Sequence, residues 1–220
     1  MNTQNQNLLE LLFGIDDLDY TTANVKDFIV KPSNLQVTRD FIEKWHYSQN
    51  VNGLTISQIF GLFYEKNLIG AMIYGSLAMA NTWKKYAKEE SKVVELKRLC
   101  CIDKTPKNTE SYFIGKTLRW MKQNSAFDLV VSYSDTYYGH EGTIYKASNF
   151  KHMGLTTKGK VIDYNERYYH DKCIRTYYTN KDGEKVIKPF AQKIKGALET
   201  GEAKYVEMPE KHIYIYSLKG

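Results

Sequence analysis

The sequence has few cysteines and no long apolar run, and both shortages limit what the protein can be. Its three cysteines, Cys100, Cys101 and Cys173, are an odd number and show no CxxC spacing. This pattern argues against a disulfide framework and against a zinc cluster. No apolar run approaches the ~20 residues that a membrane-spanning helix needs, and the first residues lack the basic segment and cleavage site of a signal peptide. We therefore expect a cytoplasmic protein with no membrane partner.

Positive charge is in excess towards the C-terminus. The chain carries 31 Lys and Arg residues against 25 Asp and Glu residues, and residues 151–220 hold 14 of the basic and 9 of the acidic ones. The same segment contains 8 of the 18 tyrosines. Because Lys and Arg neutralise phosphates and Tyr stacks on bases, this segment favours a nucleic-acid partner. A solvated Lys-rich surface accounts for the same charge, so both interpretations stay open.

The pattern of apolar residues predicts a mixed α/β fold. Two apolar runs, residues 58–64 and 68–75, predict a β-hairpin, and residues 109–124 predict an amphipathic helix. Residues 127–135 form the clearest buried strand in the sequence. The last third predicts short strands, one of them within residues 172–178. Strands and helices in this order predict a mixed sheet with helices packed on it.

One predicted strand, residues 92–102, carries charged residues within an apolar sequence. Val94, Leu96 and Arg98 occupy alternating positions, which share one face of a regular strand. Of its two adjacent cysteines, one then faces inward and the other outward, and we expect at least one of them to be a small core residue rather than a nucleophile.

No internal repeat or low-complexity linker divides the chain. Its length suits one large domain or two small ones. We expect residues 1–24 to form an N-terminal arm and residues 25–220 to form a single catalytic domain, in which residues 151–220 are the basic, Tyr-rich C-terminal part.

The most informative segment for chemistry is VVSYSDTYYGHEGTIYKASNF, residues 130–150. An apolar strand delivers Ser134 and Asp135 to a sheet edge, where the ligands of open α/β sheets bind. Asp135 is a candidate general base or metal ligand, and Tyr145 a candidate general acid or hydrogen-bond donor. The alternative is that Asp135 caps the following turn and Tyr145 packs in the core.

A second candidate is WHYS, residues 45–48, at the predicted C-terminal end of a helix. His46 is a candidate general base, proton shuttle or metal ligand, and Tyr47 is a candidate oxygen ligand or hydrogen-bond partner. A histidine at a helix end also interacts with the last carbonyl groups without any further function. The remaining histidines are weak metal candidates, because His140–Glu141 lacks the HExxH spacing.

The loop before the predicted helix lacks a feature of acyl-CoA enzymes. An acyl-CoA-dependent acyltransferase places the pyrophosphate on a Gly-rich loop that opens a helix, whereas DKTPKNTES, residues 103–111, contains no glycine. Thr109 and Ser111 are candidate helix caps, and the free N–H groups of the helix can still bind an anion. The missing glycines make an acyl-CoA-type donor doubtful.

Taken together, these motifs resemble the phage Mom family of adenine-modification proteins. The resemblance covers roughly the central half of the chain and its C-terminus, and the SYSD and GxxYxAxNF motifs are its most specific part. The segments that carry it are WHYS (45–48), the hairpin that ends in IYG, VELKRLC (94–100), VVSYSD, GHEGTIYKASNF and PEKHIYIYSL (209–218).

The resemblance implies a GNAT-like acyltransferase fold, with a mixed, mostly antiparallel central sheet and helices on both faces. It also implies an enzyme that adds a carbamoylmethyl group to the exocyclic amine of adenine in phage DNA, which shields that DNA from host restriction enzymes. The functional positions carried over by motif are His46, Tyr47, Asp135 and Tyr145, with iron near the His46–Tyr47 pair. We further expect double-stranded DNA as the partner, the host cytoplasm as the location and a homodimer as one candidate assembly.

Five further residues are candidates for binding the substrate. Arg98, on a strand beside the candidate site, is placed to orient a carboxylate or contact a phosphate, although a structural strand arginine is the alternative. The adenine amine is not reachable from all sides within a duplex, so we expect the base to be flipped out. Tyr137 and Tyr138 can then stack on the flipped base, and Lys172 and Arg175 can hold the backbone.

Two other functions fit parts of the sequence. An ordinary GNAT N-acetyltransferase on a protein or small amine would bind acyl-CoA tightly and act without DNA, and the missing glycines argue against it. A non-catalytic DNA-binding module would bind DNA and leave every base unmodified.

Overall fold

The computed structural model describes residues 19–79 and 81–219, and these residues form two compact units. The larger unit contains the described residues up to Ser134, Gly142–Gly154 and the residues from Ile213 onwards, and the smaller unit contains Asp135–Glu141 and Leu155–His212. Within the described ranges, no helix is both long enough and apolar enough to cross a membrane.

Of the predicted N-terminal arm, residues 1–24, the first 18 lie outside the described residues. The part that is described packs on the larger unit. Tyr20 is buried, and its hydroxyl accepts a hydrogen bond of 2.8 Å from the Asn67 side chain. The domain boundaries drawn from the sequence, at residues 24 and 25, stay a prediction.

A seven-stranded sheet forms the centre of the larger unit. The elements in chain order are β1 (Ile29–Pro32), α1 (Leu35–Trp45), β2 (Gln58–Tyr64), β3 (Asn67–Gly75), β4 (Val93–Cys101), α2 (Thr109–Asn124), β5 (Leu129–Ser134), α3 (Thr143–Ala147), β6 (Lys151–Leu155) and, at the C-terminal end, β12 (His212–Ser217). The strands lie in the order β1-β2-β3-β4-β5-β12-β6. Strands β1 to β4 pair antiparallel, and β4 and β5 pair parallel, which confirms the predicted mixed, mostly antiparallel sheet with helices.

A β-bulge in β4 decides which side chains share a face. Tyr74 of β3 pairs with Leu96, but its neighbour Ile73 pairs with Arg98, so Lys97 is the extra residue. The bulge moves Arg98 to the face of Glu95, away from Leu96. The simple alternation of Leu96 and Arg98 expected from the sequence is therefore wrong.

Helices α1 and α2 both pack against β4, and its two faces are covered by protein. On the face of Tyr74, α2 packs against the sheet, and the Tyr74 hydroxyl lies 2.8 Å from Thr117 Oγ1. Because both faces are covered, Cys100 and Cys101 are both buried, which corrects the expectation that one of them faces outward. The pairing of β4 with β5 ends at Leu96 and Ser132, although both strands continue.

The smaller unit has its own sheet and core. Strands β7 (Gly159–Tyr164), β8 (Arg167–His170) and β11 (Lys204–Met208) form a three-stranded sheet in the order β11-β7-β8, and β9 (Tyr177–Thr179) pairs with β10 (Lys185–Ile187). Helix α4 (Pro189–Thr200) contributes Ile194 and Ala197 to a cluster with Ile162. The strand predicted within residues 172–178 is wrong in its first half, because Asp171–Arg175 forms a 3₁₀ helix that the His170 side chain caps.

Candidate functional site

His46 and Tyr47 follow α1 directly and stack on each other. The His46 backbone N–H donates to the Ile42 carbonyl and ends the helix, and the two rings lie 4.2 Å apart between centroids. The buried imidazole accepts a hydrogen bond of 3.1 Å at Nδ1 from the Ser48 backbone N–H. Because Nδ1 acts as an acceptor, the neutral ring carries its hydrogen on Nε2.

Arg98 faces the same region from β4. Its Nε donates to the Asn50 carbonyl over 3.1 Å and Nη1 donates to the Lys97 carbonyl over 2.7 Å. Burial lowers the pKa of the Arg98 guanidinium, and negative charge on Tyr47 or Glu95 acts in the opposite direction. Two of the five N–H groups of the guanidinium are thus used for positioning, and an anionic ligand can take others.

Tyr145 is held inside the larger unit by aromatic rings. Its ring centroid lies 5.3 Å from that of Tyr214, and Gly142 makes this possible, since a side chain there would overlap the Tyr214 ring. Burial raises the pKa of Tyr145 to about 12, a hydrogen bond with Ser132 opposes the shift, and negative charge on Tyr47 adds to it. The phenol is therefore protonated at neutral pH and can donate a hydrogen bond.

Tyr47 connects these residues. It stacks on His46, and its charge would affect the pKa values of both Arg98 and Tyr145. His46, Tyr47, Arg98 and Tyr145, called the Tyr47 cluster below, all belong to the larger unit. Four residues from three separate motifs thus lie in one region of the larger unit.

Asp135 belongs to the smaller unit, and both of its carboxylate oxygens have partners. Oδ1 accepts a hydrogen bond of 3.2 Å from the Tyr137 backbone N–H, which caps a 3₁₀ turn at Thr136–Tyr138. Oδ2 lies 2.5 Å from the Lys211 ammonium. The turn-capping role considered from the sequence is present, and the catalytic role of Asp135 stays a prediction.

The predicted base-stacking residues are exposed in the smaller unit. The Tyr137 and Tyr138 rings meet edge to face at 5.1 Å, and the Tyr137 hydroxyl lies 3.4 Å from that of Tyr168. Tyr168 lies outside the motifs and was missed by the sequence analysis. The three phenol rings form an exposed aromatic surface of the kind on which bases stack.

The predicted phosphate-binding residues, Lys172 and Arg175, lie in the 3₁₀ helix that follows β8. Arg175 forms an ion pair with Asp171, four residues earlier. The smaller unit as a whole has 12 basic and 11 acidic residues, so the positive excess that the sequence places after residue 150 is not a property of this unit. The roles of Lys172 and Arg175 in holding a DNA backbone stay predictions.

The loop before α2 does not use its hydroxyl groups as expected. Asn108, with a left-handed φ of 73°, precedes the helix and makes no side-chain cap hydrogen bond. Thr109 Oγ1 donates to the Pro106 carbonyl, and Ser111 Oγ donates to the Asn108 carbonyl. The expectation that Thr109 and Ser111 cap the helix N–H groups is therefore wrong.

Glu95, on β4, is a charged residue of the site that the sequence analysis missed. Its Oε2 accepts hydrogen bonds from the Ala78 backbone N–H, at 3.1 Å, and from the Lys97 ammonium, at 3.4 Å. Burial raises the pKa of Glu95, and the charge of Lys97 opposes the shift. Glu95 is the one acidic residue of β4, close to the basic residues Lys97 and Arg98, and this was the signal in the sequence that could have identified it.

The side chains near His46 do not by themselves assemble a metal centre. In the part of the chain that the structure describes, no three His, Cys, Asp or Glu residues lie close enough together to hold a metal ion. The Nδ1 atom of His46 already accepts a hydrogen bond, and the Tyr47 ring is stacked on the imidazole. Two candidate ligands are fewer than a protein iron site needs, so no step of the mechanism is assigned to a metal.

Comparison with known proteins gives matches of two kinds. The sequence model of the Mom protein family matches residues 27–220. The "Methylcarbamoylase mom" of Escherichia phage Mu is 26% identical over 150 residues, which are 66% of this chain and 61% of that protein. The chain thus spans less than two thirds of the length of this relative.

Several solved acetyltransferase structures match most of the chain at low identity. An N-acetyltransferase from Staphylococcus aureus Mu50 is 10% identical with a TM-score of 0.45, and the match covers 88% of this chain and 99% of the other. The Arabidopsis thaliana NAA60 in complex with acetyl-CoA is 12% identical with a TM-score of 0.48, and the match covers 88% of this chain and 99% of the other.

Proposed function

This chain belongs to the Mom protein family, and we propose that it is a transferase that modifies adenine in phage DNA. The group transferred is carbamoylmethyl, and the acceptor is the exocyclic amine. The name of the phage Mu relative, methylcarbamoylase, supports the type of group. The modification protects phage DNA from restriction enzymes in the host cytoplasm.

The observation that carries this proposal is the Tyr47 cluster. Its members come from the end of α1, from β4 and from α3, and they offer complementary chemistry. Arg98 supplies a positive charge for an anionic group, and Tyr145 supplies a protonated phenol. The cluster lies beside the point where β4 and β5 stop pairing. Open α/β sheets bind their ligands at such points.

The acceptor amine needs help because its lone pair is delocalised into the adenine ring. An enzyme must position this amine and accept a proton as the new bond forms. His46 is less suited to accept that proton, since Nδ1 already has a donor and Nε2 carries hydrogen in the neutral ring. Within the larger unit, we assign His46 to orienting Tyr47 and Tyr145 to hydrogen-bond donation. Asp135, in the smaller unit, keeps its predicted role as a proton acceptor.

Double-stranded DNA is the proposed substrate, with the target base flipped out of the helix. The exposed rings of Tyr137 and Tyr138 suit stacking on a base. Iron near the His46–Tyr47 pair stays a prediction. Mass analysis of the nucleosides in DNA from cells that express the chain tests the proposed function.

A further inference from the structure

The carboxylate of Glu95 is held at one oxygen only. Its side chain is 12% exposed, and the Ala78 N–H and the Lys97 ammonium both donate to Oε2. Within the described part of the chain, Oε1 accepts no hydrogen bond. It is also not one of the fully buried polar atoms that lack a partner, so part of its surface is accessible. Oε1 is therefore open to a donor from outside the protein.

Glu95 lies beside the Tyr47 cluster. The bulge at Lys97 puts it on the same face of β4 as Arg98, and it affects the pKa values of both Arg98 and Tyr145. On the neighbouring strand, Val131 is its register partner, and Tyr133 lies two residues further on the same face. A ligand bound at the cluster would therefore be close to Glu95.

A half-satisfied carboxylate in a mostly buried position favours a ligand that donates hydrogen bonds. Removing a carboxylate from water costs free energy, and each missing donor leaves part of that cost uncompensated. The two donors on Oε2 also fix the orientation of the group, so a ligand does not need to order it on binding. An amino group is the matching donor on a nucleobase.

We propose that Glu95 Oε1 accepts a hydrogen bond from the exocyclic amino group of the target base and thereby selects an amino base over a keto base. This inference rests on the proposed function, because it takes a nucleobase as the substrate. It assigns to Glu95 a specificity-determining role. The alternative is that Glu95 only balances the charge of Lys97.

The substitution Glu95→Gln reverses the hydrogen-bonding character of the free position. The Ala78 N–H and the Lys97 ammonium both require an acceptor, so the amide oxygen takes the place of Oε2. The amide NH₂ then takes the place of Oε1 and becomes a donor. A keto base, which accepts at this position, should bind better than an amino base.

The test measures binding of two DNA duplexes that differ only in one adenine or hypoxanthine, placed opposite an abasic site so that neither base has to break a base pair to flip out. We expect the wild-type protein to bind the adenine probe about tenfold or more tightly, since a hydrogen bond to a charged group is lost with hypoxanthine. In Glu95→Gln the preference should reverse. Glu65→Gln, the same change at an exposed turn, should leave the preference as in the wild type.

The outcomes separate the inference from the proposed function. A wild-type protein that binds neither probe at low salt contradicts the proposed function itself. A wild-type protein that binds both equally, or a folded Glu95→Gln variant that still prefers adenine, overturns the role of Glu95 while DNA binding stands. If thermal melting shows that Glu95→Gln is unfolded, the double variant with Lys97→Met removes the unpaired ammonium, and the same reversal is expected of it.

Discussion

The Lys211 ammonium lies 2.5 Å from the Asp135 carboxylate and joins two segments that are 76 residues apart in sequence. Next to this ion pair, Thr136 Oγ1 donates to the Glu210 carbonyl over 2.6 Å. The turn that follows β5 is thus tied to the segment that precedes β12, within the smaller unit. Asp135 therefore has a structural partner as well as its proposed proton-accepting role, and the two must be separated by experiment.

Asp135→Asn and Lys211→Gln both break this ion pair, but only the first removes the carboxylate. If Asp135 accepts the proton, Asp135→Asn should lower the modification rate by about 10²–10⁴-fold, whereas Lys211→Gln should keep most of the activity. The rate is measured from the fraction of modified deoxyadenosine, with a thermal melt of each variant as control. Equal losses in the two variants would mean that Asp135 matters only as the partner of Lys211.

Tyr145→Phe removes a hydroxyl group from a buried ring without changing its packing. Since burial raises the pKa of Tyr145 to about 12, the phenol is neutral at every assay pH well below that value and cannot produce a pH dependence there. We expect the modification rate to fall by about 10²-fold, the lower end of the range for general acid–base residues, with an unchanged pH profile. A profile that differs between Tyr145→Phe and the wild type would contradict the role of a protonated donor.

The hydrogen bond between Tyr74 and Thr117 connects the central sheet to α2, and both residues are buried. Thr117→Val leaves the Tyr74 hydroxyl without this partner and should lower the free energy of unfolding by about 1–3 kcal/mol. The double variant Tyr74→Phe, Thr117→Val removes both polar groups and should lose less than the sum of the single changes. Urea denaturation measures the free energy of unfolding of the two single variants and the double variant. Strictly additive losses would show that the two hydroxyl groups do not interact.

Much of the fold followed from apolar patterning, but the positions of particular site residues did not. Strand β4 was predicted almost to its ends, yet the face of Arg98 was wrong, because the bulge at Lys97 depends on pairing with β3. The ion pair of Asp135 with Lys211 and the contact of Tyr137 with Tyr168 join segments far apart in the chain. Local sequence carries no information about such pairs.

A similar limit explains the segment Asp171–Arg175. Its neighbouring tyrosines favour a strand by propensity, but His170 caps the 3₁₀ turn by accepting from the Lys172 backbone N–H. The members of the Tyr47 cluster, in contrast, came from motifs in the sequence. Glu95 also lies within a motif, VELKRLC, but its importance depends on which of its oxygens has a partner, and the motif does not show that.

The most direct test of the account is nucleoside mass analysis of DNA from cells that express the chain. We expect a deoxyadenosine in which a carbamoylmethyl group replaces one hydrogen of the exocyclic amine, present with the wild-type protein and strongly reduced with Asp135→Asn. Only unmodified nucleosides, in cells that contain the folded wild-type protein, would contradict it.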